Sequence, residues 1–239
     1  MTKEEKIKRF ERLNKEVVPG QIVCAASSLM EMFPVEELVR ENQIHMTIYN
    51  RGVGGFITDE LLENIDTCIL DLKPSKLFIN IGTNDLSNPD IPIAQMIDHY
   101  DQILCQVKAA LPDVKLYLMA YYPINYDAAT EEMKPCLLVR TNQKIAEANA
   151  AVKKLAEKHH AKWMNGCAVA ELNDDMVTLK EVPKVMIVEG IPEEWDENGV
   201  YIGKDENGNL KAEYTIEGMH IKEEGYRVIF PEFIRYAME

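Results

Sequence analysis

The sequence predicts an α/β fold in three layers, a parallel sheet sandwiched between helices. Three observations lead there. Short apolar or β-rich runs recur along the chain, each bounded by glycine, proline or small polar residues. Stretches with apolar residues at helical spacing separate them, which is the alternation of a parallel sheet covered on both faces. No stretch reads as a linker, so the 239 residues are expected to form a single domain.

The elements follow in order. Residues 3–16 are charged, with Ile7, Phe10 and Leu13 at helical spacing, and predict an amphipathic first helix that Pro19-Gly20 ends. Strand one covers 22–26 and runs into Ser27-Ser28. Leu29, Met30, Met32 and Phe33 come next; they are expected in the core, with part of the cluster available to line an acyl pocket. Pro34 then opens a helix over Val35–Glu41. His45–Tyr49 reads as strand two and leads into the cluster Asn50-Arg51-Gly52-Val53-Gly54-Gly55. Thr58 is expected to cap a helix presenting Leu61, Leu62, Ile65, Cys68, Ile69 and Leu72, broken by Pro74-Ser75.

Leu77–Ile81 is strand three and ends in Gly82-Thr83-Asn84-Asp85. A helix over about 91–111 stops at Pro112. Val114–Ala120 is strand four, and 124–139 reads as a surface loop. Thr141–Lys158 is a helix with Ile145, Ala148, Val152 and Leu155 inward, and Ala161–Met164 is strand five. Region 166–213 breaks the rhythm. Val185–Val188 and the Asp-Glu-Asn-Gly turns at 196–199 and 205–208 suggest a β-rich insertion. A last helix from Lys222 carries Tyr226, Ile229, Phe233 and Tyr236, with Pro231 placed to bend it.

Composition narrows the function classes. With 46% hydrophobic and 28% charged residues, the chain is that of a globular protein. A net charge of −14 argues against nucleic acid, which needs a basic face, and against an anionic membrane. The first residues are charged and lack a signal peptide's apolar core. The five cysteines, Cys24, Cys68, Cys105, Cys136 and Cys167, include no CxxC pair. They predict neither a zinc site nor a disulfide framework, and a reducing, cytoplasmic setting is expected.

Polar residues gather at the strand ends expected on one sheet edge: Ser28, Gly54-Gly55 and Asn84, with His220 near the end of the chain. Acyl transfer needs such a set. A serine hydroxyl becomes a nucleophile when a base takes its proton, and histidine serves near neutral pH. A carboxylate must orient the imidazole, and Glu217 lies three residues before His220. The N–H of Ser28, the N–H of Gly55 and the Asn84 amide are candidate oxyanion donors. Asp85 is expected to be structural, as are His45 and His99. His159-His160 ends a helix where positive charge is favoured. The glycine cluster lacks the spacing of a phosphate loop, and 205–216 lacks the glycine and glutamate of a calcium loop.

Ala26-Ser27-Ser28-Leu29-Met30-Glu31, Asn50-Arg51-Gly52-Val53-Gly54-Gly55, Gly82-Thr83-Asn84-Asp85 and Glu217-Gly218-Met219-His220 together resemble, in order, the four blocks of the SGNH (GDSL-type) hydrolases. The resemblance implies a flavodoxin-like sandwich and hydrolysis of esters or thioesters without metal or cofactor. It places Ser28 as nucleophile, Gly55 and Asn84 as oxyanion donors and His220 as base. The departures are Ala26-Ser27 for the family's Gly-Asp, Glu217 for its aspartate, and Phe56-Ile57 where polar residues are common. The expected partner is a small acyl ester, by analogy an acetylated sugar or small alcohol. The oligomeric state, a homo-oligomer included, is left open. A fold that kept its shape for binding or regulation, and a flavin- or nucleotide-binding domain, are the alternative classes.

Overall fold

The computed structural model describes residues 1–164 and 207–239. Most of the expected insertion at 166–213, including the strand Val185–Val188, the turn at 196–199 and Val200-Tyr201-Ile202, lies outside these residues, as does Cys167. Helix α1 (Lys3–Leu13) continues as a 3₁₀ turn, Asn14–Glu16. Strand β1 (Ile22–Ala26) leads directly into α2 (Ser28–Glu31), then α3 (Val35–Glu41) and β2 (Ile48–Gly52). Helices α4 (Thr58–Glu63) and α5 (Ile65–Cys68) precede β3 (Lys76–Asn80). Helices α6 (Thr83–Leu86) and α7 (Ile93–Ala110) lead to β4 (Lys115–Met119). Helices α8 (Lys134–Val139) and α9 (Asn142–Lys158), strand β5 (Lys162–Met164) and α10 (Glu223–Met238) complete the described chain.

All five strands pair in parallel, in the order β2-β1-β3-β4-β5. Strand order reverses between β1 and β3, and ligands of open α/β sheets bind at such a reversal, beyond the carboxyl ends of the strands.

Alternation along each strand separates two cores. Ile22, Cys24, Ala26, Phe78 and Tyr117 face α3 and α10. Val23, Ala25, Leu77, Ile79, Leu116 and Leu118 face Ile7 and Phe10 of α1 and the buried residues of α4, α5, α7 and α9. On the first face Phe78 stacks on Tyr117 at 4.4 Å and meets Phe233 of α10 at 4.5 Å. The Tyr226 hydroxyl donates 2.6 Å to the Leu29 carbonyl, tying α10 to the helix that carries Ser28. Helix α10 runs through Pro231 without a break. Cys24 and Cys68 are buried as expected, and burial raises both thiols, Cys68 to about 12.

Several boundaries differ from the expected ones. Strand two is Ile48–Gly52, not 45–49, because Asn50, Arg51 and Gly52 pair with Cys24, Ala25 and Ala26. The helix expected through Leu72 is two short helices and a 3₁₀ turn at Leu70–Leu72. Thr58 is the first residue of α4, not its cap, and its hydroxyl donates to Asp85 instead. Leu13 is 42% exposed, at the solvent side of α1. The segment 124–139 is more than a surface loop: it contains α8, and Ile124, Asn125 and Leu137 are buried. Met30 and Phe33 are core residues, whereas Met32 is exposed.

Candidate active site

The sharp step from β1 to α2 leaves Ser28 half-buried at the first helical position. Ser27 points the other way, its hydroxyl 3.0 Å from the Thr83 hydroxyl in the interior. That contact ties the turn after β1 to the turn after β3. Ser27 thus holds the two turns together where the resemblance puts an aspartate.

His220 arrives from nearly two hundred residues away. Its Nε2 lies 2.9 Å from Ser28 Oγ. On its other side Nδ1 meets a carboxylate oxygen of Glu217. An ionised carboxylate only accepts, so Nδ1 carries the proton and Nε2 is free to accept from the Ser28 hydroxyl. The expected chain of serine, histidine and glutamate is therefore assembled. Glu217 and His220 sit on a tight turn. Thr215 and Ile221 form an antiparallel bridge, and Ile216 N–H and the Thr215 hydroxyl both donate to the His220 carbonyl. Gly218 sits at φ +90°, and a β-carbon there would lie 2.4 Å from the Asn125 carbonyl. Only glycine accommodates both constraints.

Asn125 secures this turn from the loop after β4. Its N–H donates to the Gly218 carbonyl at 2.8 Å and its side-chain amide to the Leu210 carbonyl at 2.8 Å. Arg140, 1% exposed, is the other unexpected neighbour. Burial pushes its guanidinium down to about 10, while Cys136, Tyr121 and Glu217 pull it back up. It stays charged at neutral pH, so a buried positive charge acts on Glu217. No sequence pattern marks either residue, since both matter through contacts distant in the chain.

The candidate oxyanion donors lie along the same edge. Gly55, at φ +83°, is exposed in the loop after β2. A β-carbon on its neighbour Gly54 would approach the Ser28 Cβ to 3.7 Å, which places this loop against the serine. Among the described residues, neither the Ser28 N–H nor the Gly55 N–H has an acceptor. Asn84, in α6, donates one amide hydrogen to the Phe56 carbonyl at 2.9 Å, which fixes the side chain and leaves its second amide hydrogen available. Asp85 turns inward and accepts from the Thr58 N–H at 3.1 Å and the Thr58 hydroxyl at 2.5 Å. Burial raises its carboxyl, and those hydrogen bonds oppose the shift.

Two of the other histidines pair with aspartates. His99 lies 3.8 Å from Asp59. His159 closes α9 and bonds Asp101 at 2.6 Å; with Cys105 these form a small cluster between α7 and α9. No helix among the described residues is long and apolar enough to cross a membrane.

Comparison with known proteins agrees with the fold. A protein from Streptococcus pneumonia described as a candidate platelet activating factor is 26% identical, with a TM-score of 0.73 over 98% of this chain and 92% of that one. A GDSL-like lipase from Bacteroides thetaiotaomicron is 18% identical, with a TM-score of 0.68 over 97% of each chain. An acetylxylan esterase from Geobacillus stearothermophilus is 12% identical, with a TM-score of 0.57 over 93% of this chain and 96% of that one. No curated protein gives a significant match. The matching family model spans residues 34–182, taking in the Asn50–Gly55 and Gly82–Asp85 blocks but neither Ser28 nor His220. On that match over more than half its length, the chain belongs to the GDSL-like lipase/acylhydrolase family.

Proposed function

We propose that this chain is a serine esterase that cleaves short-chain acyl esters through an acyl-enzyme on Ser28. The observation that carries the reading is the continuous chain Ser28 Oγ to His220 Nε2, at 2.9 Å, and His220 Nδ1 to Glu217. It stands beside two backbone N–H groups, those of Ser28 and Gly55, that lack acceptors among the described residues.

In the first half-reaction Ser28 Oγ attacks the acyl carbonyl carbon as its proton passes to His220 Nε2. Glu217 holds the imidazole in the tautomer that can take this proton and offsets the resulting positive charge. The carbonyl oxygen becomes an oxyanion and receives hydrogen bonds from the Ser28 N–H, the Gly55 N–H and the second Asn84 amide hydrogen. Collapse breaks the bond to the alcohol, which leaves with the proton from His220. Water then attacks the acyl-enzyme with His220 again as base, releasing the acid and restoring Ser28. Each of these roles falls to a residue of the chain itself.

A small acyl group, such as an acetyl on a sugar or small alcohol, is favoured by the acetylxylan esterases among the structural neighbours. A thioester would pass through the same steps. The reading is tested with a fluorophosphonate probe and a panel of p-nitrophenyl esters of rising chain length. The wild-type protein should be labelled and the Ser28→Ala variant should not, with turnover highest for the shortest acyl chains. An unlabelled wild-type protein would return the chain to the class of folds kept for binding alone.

A further inference from the structure

Helix α1 supplies no candidate catalytic residue, yet it meets the loop after β2 in an ordered way. Two of its lysines, one turn apart, each bind a carboxylate that in turn accepts a backbone N–H of that loop. Lys6 Nζ lies 2.7 Å from Glu31 Oε1, and Glu31 Oε2 accepts the Gly54 N–H at 2.6 Å. Lys3 Nζ lies 2.6 Å from Glu60 Oε1, and Glu60 Oε2 accepts the Ile57 N–H at 3.0 Å. The two relays bracket Gly55 and Phe56. Between them Lys3 Nζ rests 5.7 Å from the Phe56 ring centroid, and its Cε would lie 3.0 Å from a β-carbon on Gly55.

We infer that α1 is a clamp on the oxyanion loop, with Lys6–Glu31 and Lys3–Glu60 as positioning pairs that fix the direction of the Gly55 N–H. The inference rests on the esterase reading above and adds the means by which its oxyanion site is preorganised. Glu31 is central because it stands three residues after Ser28, in the helix whose first N–H is another donor. Bonding the Gly54 N–H, it locks the Ser28 donor and the Gly55 donor into one frame. Asn84 joins the same frame through the Phe56 carbonyl. All three donors are thus referred to one short loop, held from outside by α1. Partly exposed lysine–carboxylate pairs contribute little to stability, so the expected consequence of the relays is geometric. Donors aimed before the charge develops lower the barrier without reorganising.

The test uses the full chain with p-nitrophenyl acetate, alongside thermal unfolding. The Lys3→Met/Lys6→Met double variant should stay folded and lose about 10-fold in kcat, with KM within about 2-fold, because the donors act on the transition state more than on bound substrate. Glu31→Ala should lose a similar factor in kcat. Glu31→Gln, whose amide oxygen still accepts the Gly54 N–H, should recover to within about 3-fold of wild type. Should Glu31→Ala unfold, the lysine double variant decides. Wild-type kcat in the double variant overturns the clamp, as does a Glu31→Gln variant no better than a folded Glu31→Ala. A wild-type protein that neither turns over the ester nor takes the fluorophosphonate overturns the esterase reading and the clamp with it.

Discussion

At the scale of single residues, neighbouring positions in one short block do unlike work. Asn84 and Asp85 are adjacent polar residues, and α6 turns them to opposite environments. Asn84 has one amide hydrogen left over from its bond to the Phe56 carbonyl; on the proposed esterase mechanism, Asn84→Ala should lower kcat by about 10²-fold with the unfolding midpoint nearly unchanged. Steady-state kinetics beside a urea melt tests both halves, and an unaltered kcat removes Asn84 from the oxyanion site. Asp85 is buried against Thr58, and burial raises its carboxyl above the ordinary 3.8. Folding therefore favours its protonated form. Its contribution to stability is greatest below 3.8 and falls as pH rises through the folded value. Replacing it by Asn removes that slope while keeping an acceptor for Thr58. The stability of Asp85→Asn minus that of wild type should grow as pH climbs from about 4 and then level off. Urea melts across pH 4 to 7 measure the difference, and a flat one would mean that Asp85 titrates as it does in the unfolded chain.

At the scale of elements, the shortest helices carry the candidate site and the longer ones hold it. Helix α2 is one turn long and could not persist alone. It is fastened by the Tyr226 hydroxyl on the Leu29 carbonyl and by the Glu31 carboxylate on the Gly54 N–H. Helix α10 in turn depends on Phe233, which is fully buried and meets both Phe33 and Phe78. Truncating that ring leaves a cavity between α10 and the sheet, so Phe233→Ala should cost about 3–5 kcal/mol, read from the urea midpoint. A loss below about 1 kcal/mol would mean that the core closes over the gap. The turn at Glu217–His220 precedes α10 in the chain, so looseness there should also lower activity.

At the scale of the whole molecule, strand order brings the four blocks together. With β2-β1-β3 adjacent, the turns after these strands share one edge, and the final turn closes over it from the far end of the chain. Local pattern was enough to place the parallel sheet and the helices over 93–110 and 142–158, because periodicity is a property of nearby residues; the candidate triad was named from the four blocks, and the fold brings its three side chains within contact. Local pattern misplaced β2 by three residues, since Asn50 and Arg51 are polar and belong to the strand only through pairing with β1. It ran α4 and α5 together, because the interruption at Asn64 keeps the apolar spacing on both sides. It passed over Asn125, Arg140 and the two lysine relays. Each acts through a partner more than twenty residues away, and no local preference records such a contact.

The order of residues by itself named the candidate groups: a hydroxyl, an imidazole, a carboxylate and amide donors, each at a strand end or a turn. Folding in three dimensions decided which of their atoms face one another and which neighbours hold them there. The reason is physical. Secondary structure follows from preferences a few residues long, whereas a hydrogen bond between Ser28 and His220 exists only after a packed core has fixed the distance between them.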